Sequence, residues 1–262
     1  MGEKEKQLIN IPELEKIKKT IIKYSPYKKN LPKIIAVTKT HSIETVKAAI
    51  NNNLTLIAEN KVQEAEKKFL ENKKIKEKIK LHLIGHLQSN KTKKAVKIFD
   101  VIQTVDSKKI LKKINLQAEK INKKQEIYLQ VNIGKDNKKR GFSVLELLSA
   151  CSEIHQYQNI FLSGIMTILP FGKPKDENKK LYKKTKELQQ KIQKDFVPLC
   201  KNISMGMSGD YREAVESGAT HIRIGSALFG KRKLSPAPTA FPRMPVPPAP
   251  RRMDHLALLA VT

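Results

Sequence analysis

Lys39 is the residue whose position suggests the most distinctive chemistry. It directly follows residues 33–38 (KIIAVT), an apolar and β-branched run that is typical of a buried strand. A lysine at the end of such a strand is partly removed from water, and desolvation lowers the pKa of its ammonium group. The neutral amine is a nucleophile toward aldehydes, with which it forms a Schiff base. Because lysine is abundant in this chain, position alone does not select Lys39.

A glycine-serine pair at the end of another apolar run suggests a phosphate site. Gly225 and Ser226 come at the end of residues 221–225 (HIRIG) and open a short segment, SALFG, that can begin a helix. A helix N-terminus offers unpaired N–H groups to a phosphate, and glycine lets the backbone come close. The same pair also fits a turn glycine with a capping serine, so the pattern leaves both interpretations open. An aldehyde-bearing phosphate ester would need this site and an amine such as Lys39 together.

Eight apolar runs that predict strands recur along the chain, and amphipathic segments separate them. Continuous apolar character is typical of parallel strands covered on both faces. In the segments between them apolar residues recur at a period near 3.6, which predicts helices. The predicted strands are residues 33–38, 54–58, 81–85, 100–105, 127–133, 160–166, 202–207 and 221–225.

Several helix starts carry recognisable signals. Ser143 and Glu146 have capping-box spacing, in which each side chain satisfies a backbone N–H at the helix start. Ser208 is positioned to cap the helix after the seventh strand. A further helix is predicted before the first strand, from residue 10 to about residue 24, with Pro12 in its first turn.

This alternation predicts an α/β fold, a single (β/α)₈ TIM-type barrel with an extra N-terminal helix. A doubly wound open sheet is the alternative, but it would need a Gly-rich first βα turn, and TKTHS is not one. The active site of a barrel lies at the carboxyl ends of its strands. The polar groups and other side chains expected there are Lys39, Glu59, Asn60, His86, Gln88, Asn132, Met166, Ser204, Gly206, Ser208, Arg223, Gly225 and Ser226.

Two histidines on the predicted third strand do not form a metal site. His82 and His86 share one face of the strand, but the spacing places them about 13 Å apart, too far for one ion. We interpret His82 as a packed or hydrogen-bonded side chain, and no metal is expected.

The chain changes character near its C-terminus. Residues 1–233 are rich in Lys, Ile and Asn, whereas residues 234–262 are rich in Pro, Ala and Arg. Prolines at this density exclude helix and sheet. We therefore expect one barrel domain over residues 1–233, and a tail over residues 234–262 that is disordered or extraneous.

The composition narrows the class of protein. Lys and Arg number 52 against 25 Asp and Glu, a formal charge of +27 that would attract polyanions. The lysines are spread over almost every predicted helix and mixed with Glu, which favours a solvated surface over a specific nucleic-acid site. Cys151 and Cys200 are too few for a disulfide framework or a four-ligand zinc site.

Targeting signals are missing from the sequence as given. No apolar run approaches the roughly 18 residues that span a bilayer. The N-terminal segment MGEKEKQLIN lacks the apolar core of a secretory signal. We expect a cytoplasmic monomer without membrane association.

Five motifs, in order, carry a resemblance to a known family. They are IIAVTKT, AENKVQE, HLIGHLQSNK, GIMTI and SMGMSGDYREAVESGATHIRIGSALFG. Over residues 9–231 the chain resembles the YggS/PROSC family of pyridoxal phosphate homeostasis proteins, which is similar to the N-terminal barrel domain of alanine racemase. The third and fifth motifs are long and specific, and the others are weaker.

The resemblance implies a cofactor, pyridoxal 5′-phosphate (PLP), and a set of residues that bind it. Lys39 would form the Schiff base, and Arg223 would face the pyridine nitrogen and keep it unprotonated, which makes the cofactor a weaker electron sink. Asn60 and Met166 would line the pocket. The residues implied for the phosphate are Ser204, Gly225 and Ser226, where the family more often has threonine at the last position.

The chain departs from the family pattern in one motif. The form usually met is GEN-Y-V-Q-E, and here Ala58 replaces the glycine and Lys61 replaces the aromatic residue. The acidic and amide residues of the motif are retained, so the site is still expected.

Two functions of different class follow from the resemblance. One is a non-catalytic PLP-binding protein that buffers, delivers or senses the cofactor, with PLP-dependent apoenzymes as candidate recipients. The other is a PLP-dependent amino-acid racemase, which needs a base on each face of the substrate Cα. In alanine racemase the second base is a tyrosine from a separate domain, and residues 231–262 contain no tyrosine. The non-catalytic function is therefore favoured.

Overall fold

The computed structural model describes residues 8–136 and 139–230. In this part of the chain eight strands close into a barrel in which each strand pairs in parallel with the next, and β1 pairs with β8. The predicted (β/α)₈ barrel is confirmed, and the doubly wound alternative is wrong. The strands are β1 Lys33–Val37, β2 Leu56–Glu59, β3 Lys80–Leu83, β4 Val101–Val105, β5 Gln125–Gln130, β6 Ile160–Met166, β7 Asn202–Met207 and β8 His221–Ile224.

Helices surround the barrel. The predicted N-terminal helix is present as α1, Ile11–Tyr24, and Asn10 caps it by accepting a hydrogen bond from the Glu13 N–H. The other helices in the described residues are α2 Ile43–Asn51, α3 Val62–Leu70, α4 Lys73–Lys76, α5 Thr92–Ile98, α6 Lys108–Glu119, α7 Val144–Ser152, α8 Lys175–Asp195, α9 Tyr211–Glu216 and α10 Ser226–Phe229.

One predicted helix cap is confirmed and another is wrong. Ser143 and Glu146 form the capping box at the start of α7. Ser208 does not cap α9, whose preceding residue is Asp210. The Ser208 hydroxyl instead accepts a hydrogen bond from the backbone N–H of Ala227 in α10.

The strands separate the apolar core beneath the helices from the interior of the barrel. Residues that alternate along each strand point to opposite faces, and one face packs against the helices in a large apolar core that includes Ile57, Ile102 and Ile222. The other face points into the barrel, where small apolar clusters such as Ile35, Val37 and Ala58 lie apart from the main core.

Cys151, Cys200 and His82 are buried among other side chains of the fold. Cys151 and Cys200 are buried free thiols, and burial raises the pKa of Cys151 to about 12. His82 is buried beside Gln103, with 2.9 Å between its Nδ1 and Gln103 Nε2, as the sequence interpretation of this residue required. Within the described residues no cluster of His, Cys, Asp or Glu has the arrangement of a metal site.

Two further predictions concern membrane spans and the C-terminal tail. Among these residues no helix is long and apolar enough to cross a bilayer. The predicted boundary at residue 233 and the predicted tail, residues 234–262, lie outside the described residues.

Candidate functional site

Lys39 occupies a tight turn at the carboxyl end of β1. The backbone N–H of His41 donates to the Thr38 carbonyl across this turn, at 3.1 Å, and the Lys39 side chain is half-buried. Thr40 has φ +66, a left-handed conformation that β-branched residues rarely adopt. A strained residue of this kind persists only where its surroundings hold it, so the turn next to Lys39 must be held by its neighbours.

One such support lies behind the turn, in a buried ion pair. Glu59, at the end of β2, is fully buried, and its Oε1 accepts hydrogen bonds from Thr38 Oγ1 at 2.8 Å and Lys68 Nζ at 2.6 Å. Lys68 Nζ also donates to the Thr38 carbonyl, at 3.0 Å. Burial raises the pKa of Glu59, and Lys68 opposes that rise. The pair fixes the residue that immediately precedes Lys39.

A second support joins the same turn to α10. The ring of His41 packs against the ring of Phe229, with 5.7 Å between the ring centroids. Burial, together with the charge of Lys68, lowers the pKa of His41, so this ring is neutral near pH 7. Gly225 lies so close to β1 that a Cβ added there would come within 3.3 Å of the Val37 Cβ. The Lys39 turn and the start of α10 are therefore neighbours.

The start of α10 has the polar groups expected of a phosphate site. The Ser226 side chain is exposed, and Gly225 is half-buried. Ser208 reaches the same place from the end of β7, since its hydroxyl lies 3.3 Å from the Ala227 nitrogen. The rim position of Ser208 was visible in the sequence, but its contact with α10 depends on the packing of two loops and could not be found there.

Ser204 and Arg223 lie inside the barrel, beneath that rim. Ser204 Oγ donates to Gln103 Oε1 at 2.7 Å and accepts from Arg223 Nη1 at 2.8 Å. Arg223 Nη2 donates to the Thr167 carbonyl at 2.8 Å. Burial lowers the pKa of Arg223, while Tyr182 and Asp210 oppose this. A guanidinium in proteins stays protonated, so Arg223 places a fixed positive charge in the barrel interior.

Asn60 and Met166 complete the set of residues expected from the sequence. Met166 is fully buried at the end of β6, in a small cluster with Tyr128. Asn60 follows β2, and its Oδ1 is buried without a hydrogen-bond partner among the residues that the structure describes. Its backbone lies tightly against Gly85, where an added Cβ would overlap the Asn60 carbonyl oxygen. A buried amide oxygen without a hydrogen bond costs stability. Asn60 Oδ1 is therefore a candidate acceptor for a hydrogen bond from a ligand.

The strand pairing brings these residues together in two layers. β1 pairs with β2 through Val37 and Ala58, so the chain continuing to Lys39 lies beside the chain continuing to Asn60. β8 pairs with β1 on its other side. Lys39, Asn60, Gly225 and Ser226 form the upper layer at the carboxyl ends of the strands, and Met166, Ser204 and Arg223 lie within the barrel.

A cavity of about 460 Å³ lies at the opposite end of the barrel, between α1 and the amino ends of β1 and β2. Its lining is mainly aliphatic, including Ile21 and Leu31, with Lys18 and Lys33 beside it. It contains none of the candidate residues. The candidate functional site therefore lies at the other end of the barrel from this cavity.

Comparison with known proteins adds an independent line of support. A family model described as alanine racemase, N-terminal domain, matches residues 14–233. A pyridoxal phosphate homeostasis protein of Synechocystis is 37% identical over 200 residues, which cover 76% of this chain and 91% of that protein. The human pyridoxal phosphate homeostasis protein is 34% identical over 222 residues, 79% of each chain.

Solved structures agree with these matches. PipY of Synechococcus elongatus, with PLP bound, has a TM-score of 0.75 and 30% sequence identity, covering 84% of this chain and 99% of PipY. Alanine racemase of Clostridium difficile has a TM-score of 0.61 at 18% identity, and the match covers 56% of that chain, which shows a shared fold.

The motifs, the barrel and the relatives lead to one assignment. The motif order predicts the family, and the closed parallel barrel is the fold shared with the solved structures of PipY and alanine racemase. The match extends over most of this chain and most of its curated relatives. The chain therefore belongs to the family of pyridoxal phosphate homeostasis proteins, built on the fold of the alanine racemase N-terminal domain.

Proposed function

We propose that this chain binds PLP through a Schiff base between the cofactor's aldehyde and Lys39 Nζ, and that it serves vitamin B6 homeostasis in the cytoplasm without strong catalysis of its own. The observation that carries the proposal is the position of Lys39, in a held turn at the carboxyl end of β1 and next to the strands that lead to Asn60 and Gly225. Condensation of the amine with the aldehyde releases one water. PipY binds PLP, and the curated relatives are named for its homeostasis.

The residues present fit this cofactor. Ser226 and the half-buried Gly225 offer a hydroxyl and close backbone approach to the phosphate at the start of α10. Asn60 Oδ1 is buried and has no hydrogen-bond partner within residues 8–136 and 139–230, which supports a polar contact with the cofactor. Met166 would contribute an apolar wall.

The resemblance implies that Ser204 binds the phosphate, and we propose instead that it holds Arg223. Its hydroxyl proton is directed to Gln103 and its oxygen accepts from Arg223, so the contacts favour holding Arg223 over binding phosphate. Ser208, whose hydroxyl lies at the start of α10, is the better hydroxyl for the phosphate from β7.

Arg223 disfavours transamination but does not separate the two function classes, because racemase-like sites have an arginine in the same place. PLP supplies an electron sink when its ring nitrogen is protonated, and a guanidinium facing that nitrogen does not give up a proton. A racemase would also need a second base. Tyr128 and Tyr182 are buried, and burial raises the pKa of both, so each stays protonated at neutral pH and cannot accept the substrate proton. We propose PLP-dependent apoenzymes as recipients of the cofactor and a monomeric chain.

One experiment tests the central contact. Purified protein is mixed with PLP, the visible absorption band is recorded, and borohydride reduction is followed by peptide mapping. We expect one labelled peptide containing Lys39, no stable label in Lys39→Ala, and an unchanged label in Lys47→Ala, an exposed lysine on α2. Equal labelling of Lys39→Ala would refute the proposal.

A rate measurement separates the two function classes. We expect amino-acid racemisation no faster than with free PLP. Racemisation well above that rate, and lost in Lys39→Ala, would establish the racemase alternative.

A further inference from the structure

A continuous chain of buried hydrogen bonds crosses the barrel interior from Arg223 to His82. Arg223 Nη1 lies 2.8 Å from Ser204 Oγ, Ser204 Oγ lies 2.7 Å from Gln103 Oε1, and Gln103 Nε2 lies 2.9 Å from His82 Nδ1. These hydrogen bonds join β8, β7, β4 and β3, so they connect strands on different sides of the barrel.

The directions of these hydrogen bonds follow from the guanidinium at one end and from the orientation of the Gln103 amide. A guanidinium only donates, so Ser204 Oγ accepts from Arg223 and its own proton goes to Gln103 Oε1. The amide of Gln103 then presents its NH₂ group to His82 Nδ1, which must accept. With this orientation of the amide, His82 is neutral and carries its proton on Nε2, an atom for which the described residues offer no hydrogen-bond partner. Burial lowers the pKa of His82, in agreement with a neutral ring.

The four residues of this hydrogen-bond chain are shielded from water. Gln103 and Ser204 are fully buried, His82 is 2% exposed and Arg223 is 3% exposed. In such surroundings hydrogen bonds are stronger, and no solvent molecule competes for the donors and acceptors. The second bond of Arg223, from Nη2 to the Thr167 carbonyl at 2.8 Å, fixes the guanidinium in another direction.

We propose that Gln103 and His82 are positioning residues that hold the Arg223 guanidinium, through Ser204, in the orientation in which it faces the pyridine nitrogen of PLP. The proposal rests on the proposed function and extends it to residues that do not touch the cofactor. Gln103 provides the acceptor that orients the Ser204 hydroxyl, and His82 orients the Gln103 amide.

Loss of Gln103 has a specific consequence. Without its acceptor the Ser204 hydroxyl can rotate, and Arg223 Nη1 loses an oxygen lone pair in a fixed direction. The charge next to the ring nitrogen then shifts, and this changes the absorption of the bound cofactor and the pH at which that absorption titrates. We expect PLP affinity to fall about three- to tenfold, the usual effect of weakening one hydrogen bond to a charged group.

The test compares two buried glutamines. Gln103→Leu breaks the chain, whereas Gln125→Leu removes another fully buried glutamine, whose Nε2 donates to the Phe99 and Asp100 carbonyls outside the chain. For each variant the PLP affinity, the visible spectrum, its pH midpoint and the Lys39 label are measured, with unfolding curves of the cofactor-free proteins.

Two variants at the other end of the chain keep the test decisive should Gln103→Leu not fold. His82→Leu removes the acceptor for Gln103 and should shift the spectrum in the same direction, by less. His82→Asn keeps an acceptor and should restore the wild-type spectrum.

The outcomes are distinct. We expect Gln103→Leu to carry the label on Lys39 with a shifted spectrum and pH midpoint, and Gln125→Leu to match the wild type in both. Identical spectra and pH midpoints in the two leucine variants, or in His82→Leu and the wild type, would overturn the positioning role alone. A wild-type protein without label on Lys39 would overturn both the proposed function and this inference.

Discussion

Two neighbouring residues of β4 show how differently the two faces of this barrel are built. Ile102 faces the helices and belongs to the large apolar core, whereas Gln103 faces the interior and is part of the polar chain that ends at Arg223. Both are fully buried. Burial by itself therefore does not distinguish a residue that stabilises the fold from one that serves the site, and the face on which it lies does.

The same contrast runs along β8. Ile222 and Ile224 pack outward into the apolar core, while His221 and Arg223 are buried polar side chains that alternate with them. A buried polar group stabilises little and is costly when its partners are missing. We infer that the outward face supplies most of the stability and that the inward face retains polar groups for function.

The largest effect should come from the outward face. Ile102→Ala removes a fully buried side chain from the main core, and we expect the free energy of unfolding to fall by about 2–5 kcal/mol. Chemical denaturation measures it. The spectrum of bound PLP should not change, and a shifted spectrum would show that the two faces are not independent.

The second-largest effect should be a loss of stability in acid, caused by a buried histidine on the inward face. Burial lowers the pKa of His221 to about 3, with Lys33 and Lys80 adding to the effect, so the folded protein resists a proton that the unfolded chain accepts near pH 6.5. Stability is therefore lost as pH falls below 6.5, and His221 alone should remove about 2 kcal/mol between pH 7 and pH 5.

Denaturation curves at several pH values check this expectation. His221→Asn should flatten the dependence on pH, because the buried titrating group is gone. His155→Asn, at an exposed histidine, should leave the slope as it is. An equal slope in all three proteins would contradict the assignment.

Arg223→Leu should separate binding from stability. We expect PLP affinity to fall at least about tenfold, equivalent to about 1.4 kcal/mol, since the buried charge that we propose to face the cofactor is lost. The cofactor-free protein should keep its unfolding free energy within about 1.5 kcal/mol, because an apolar residue avoids the desolvation of a buried cation.

Calorimetric titration with PLP and denaturation curves measure the two quantities. Arg212→Leu is the control, at an arginine on α9 whose side chain is half exposed and pairs with Glu216. A large loss of stability in Arg223→Leu with unchanged affinity would reverse the comparison between the two faces.

The smallest effect is expected where the Lys39 turn meets α10. Gly225→Ala would bring a Cβ to 3.3 Å from Val37, a contact that small shifts can relieve. We expect a loss of about 0.5 kcal/mol in stability and a two- to threefold weaker PLP affinity. An unchanged affinity would show that the close approach of α10 to β1 does not shape the site.

The strands could be predicted well because their signal is local. β6 and β7 have the predicted bounds, since β-branched and apolar runs mark both ends. β5 was predicted over residues 127–133, but it spans Gln125–Gln130. The chain leaves the sheet after this strand because the Asn132 side chain bonds the backbone of Asp136 and closes a turn, an interaction that apolar periodicity does not report.

The candidate site was only partly accessible from the sequence. Lys39, Asn60 and the Gly225–Ser226 pair could be found from their positions at strand ends and from the motifs. Gln103 interrupts the run VIQTV, and this amide on the inward face was the available signal. Its partner Ser204 lies 101 residues away. The pairing of Glu59 with Lys68 and Thr38 was hidden in the same way.

From the sequence alone follow the eight strands, the N-terminal helix, the family and the lysine expected to hold the cofactor, because periodicity, caps and motif order are written in adjacent residues. Only the closed barrel decides which buried polar groups meet, that Ser204 bonds Arg223, and that Ser208 reaches α10. Closure sets these contacts because it brings residues from different strands within hydrogen-bonding distance, and no local pattern encodes such a distance.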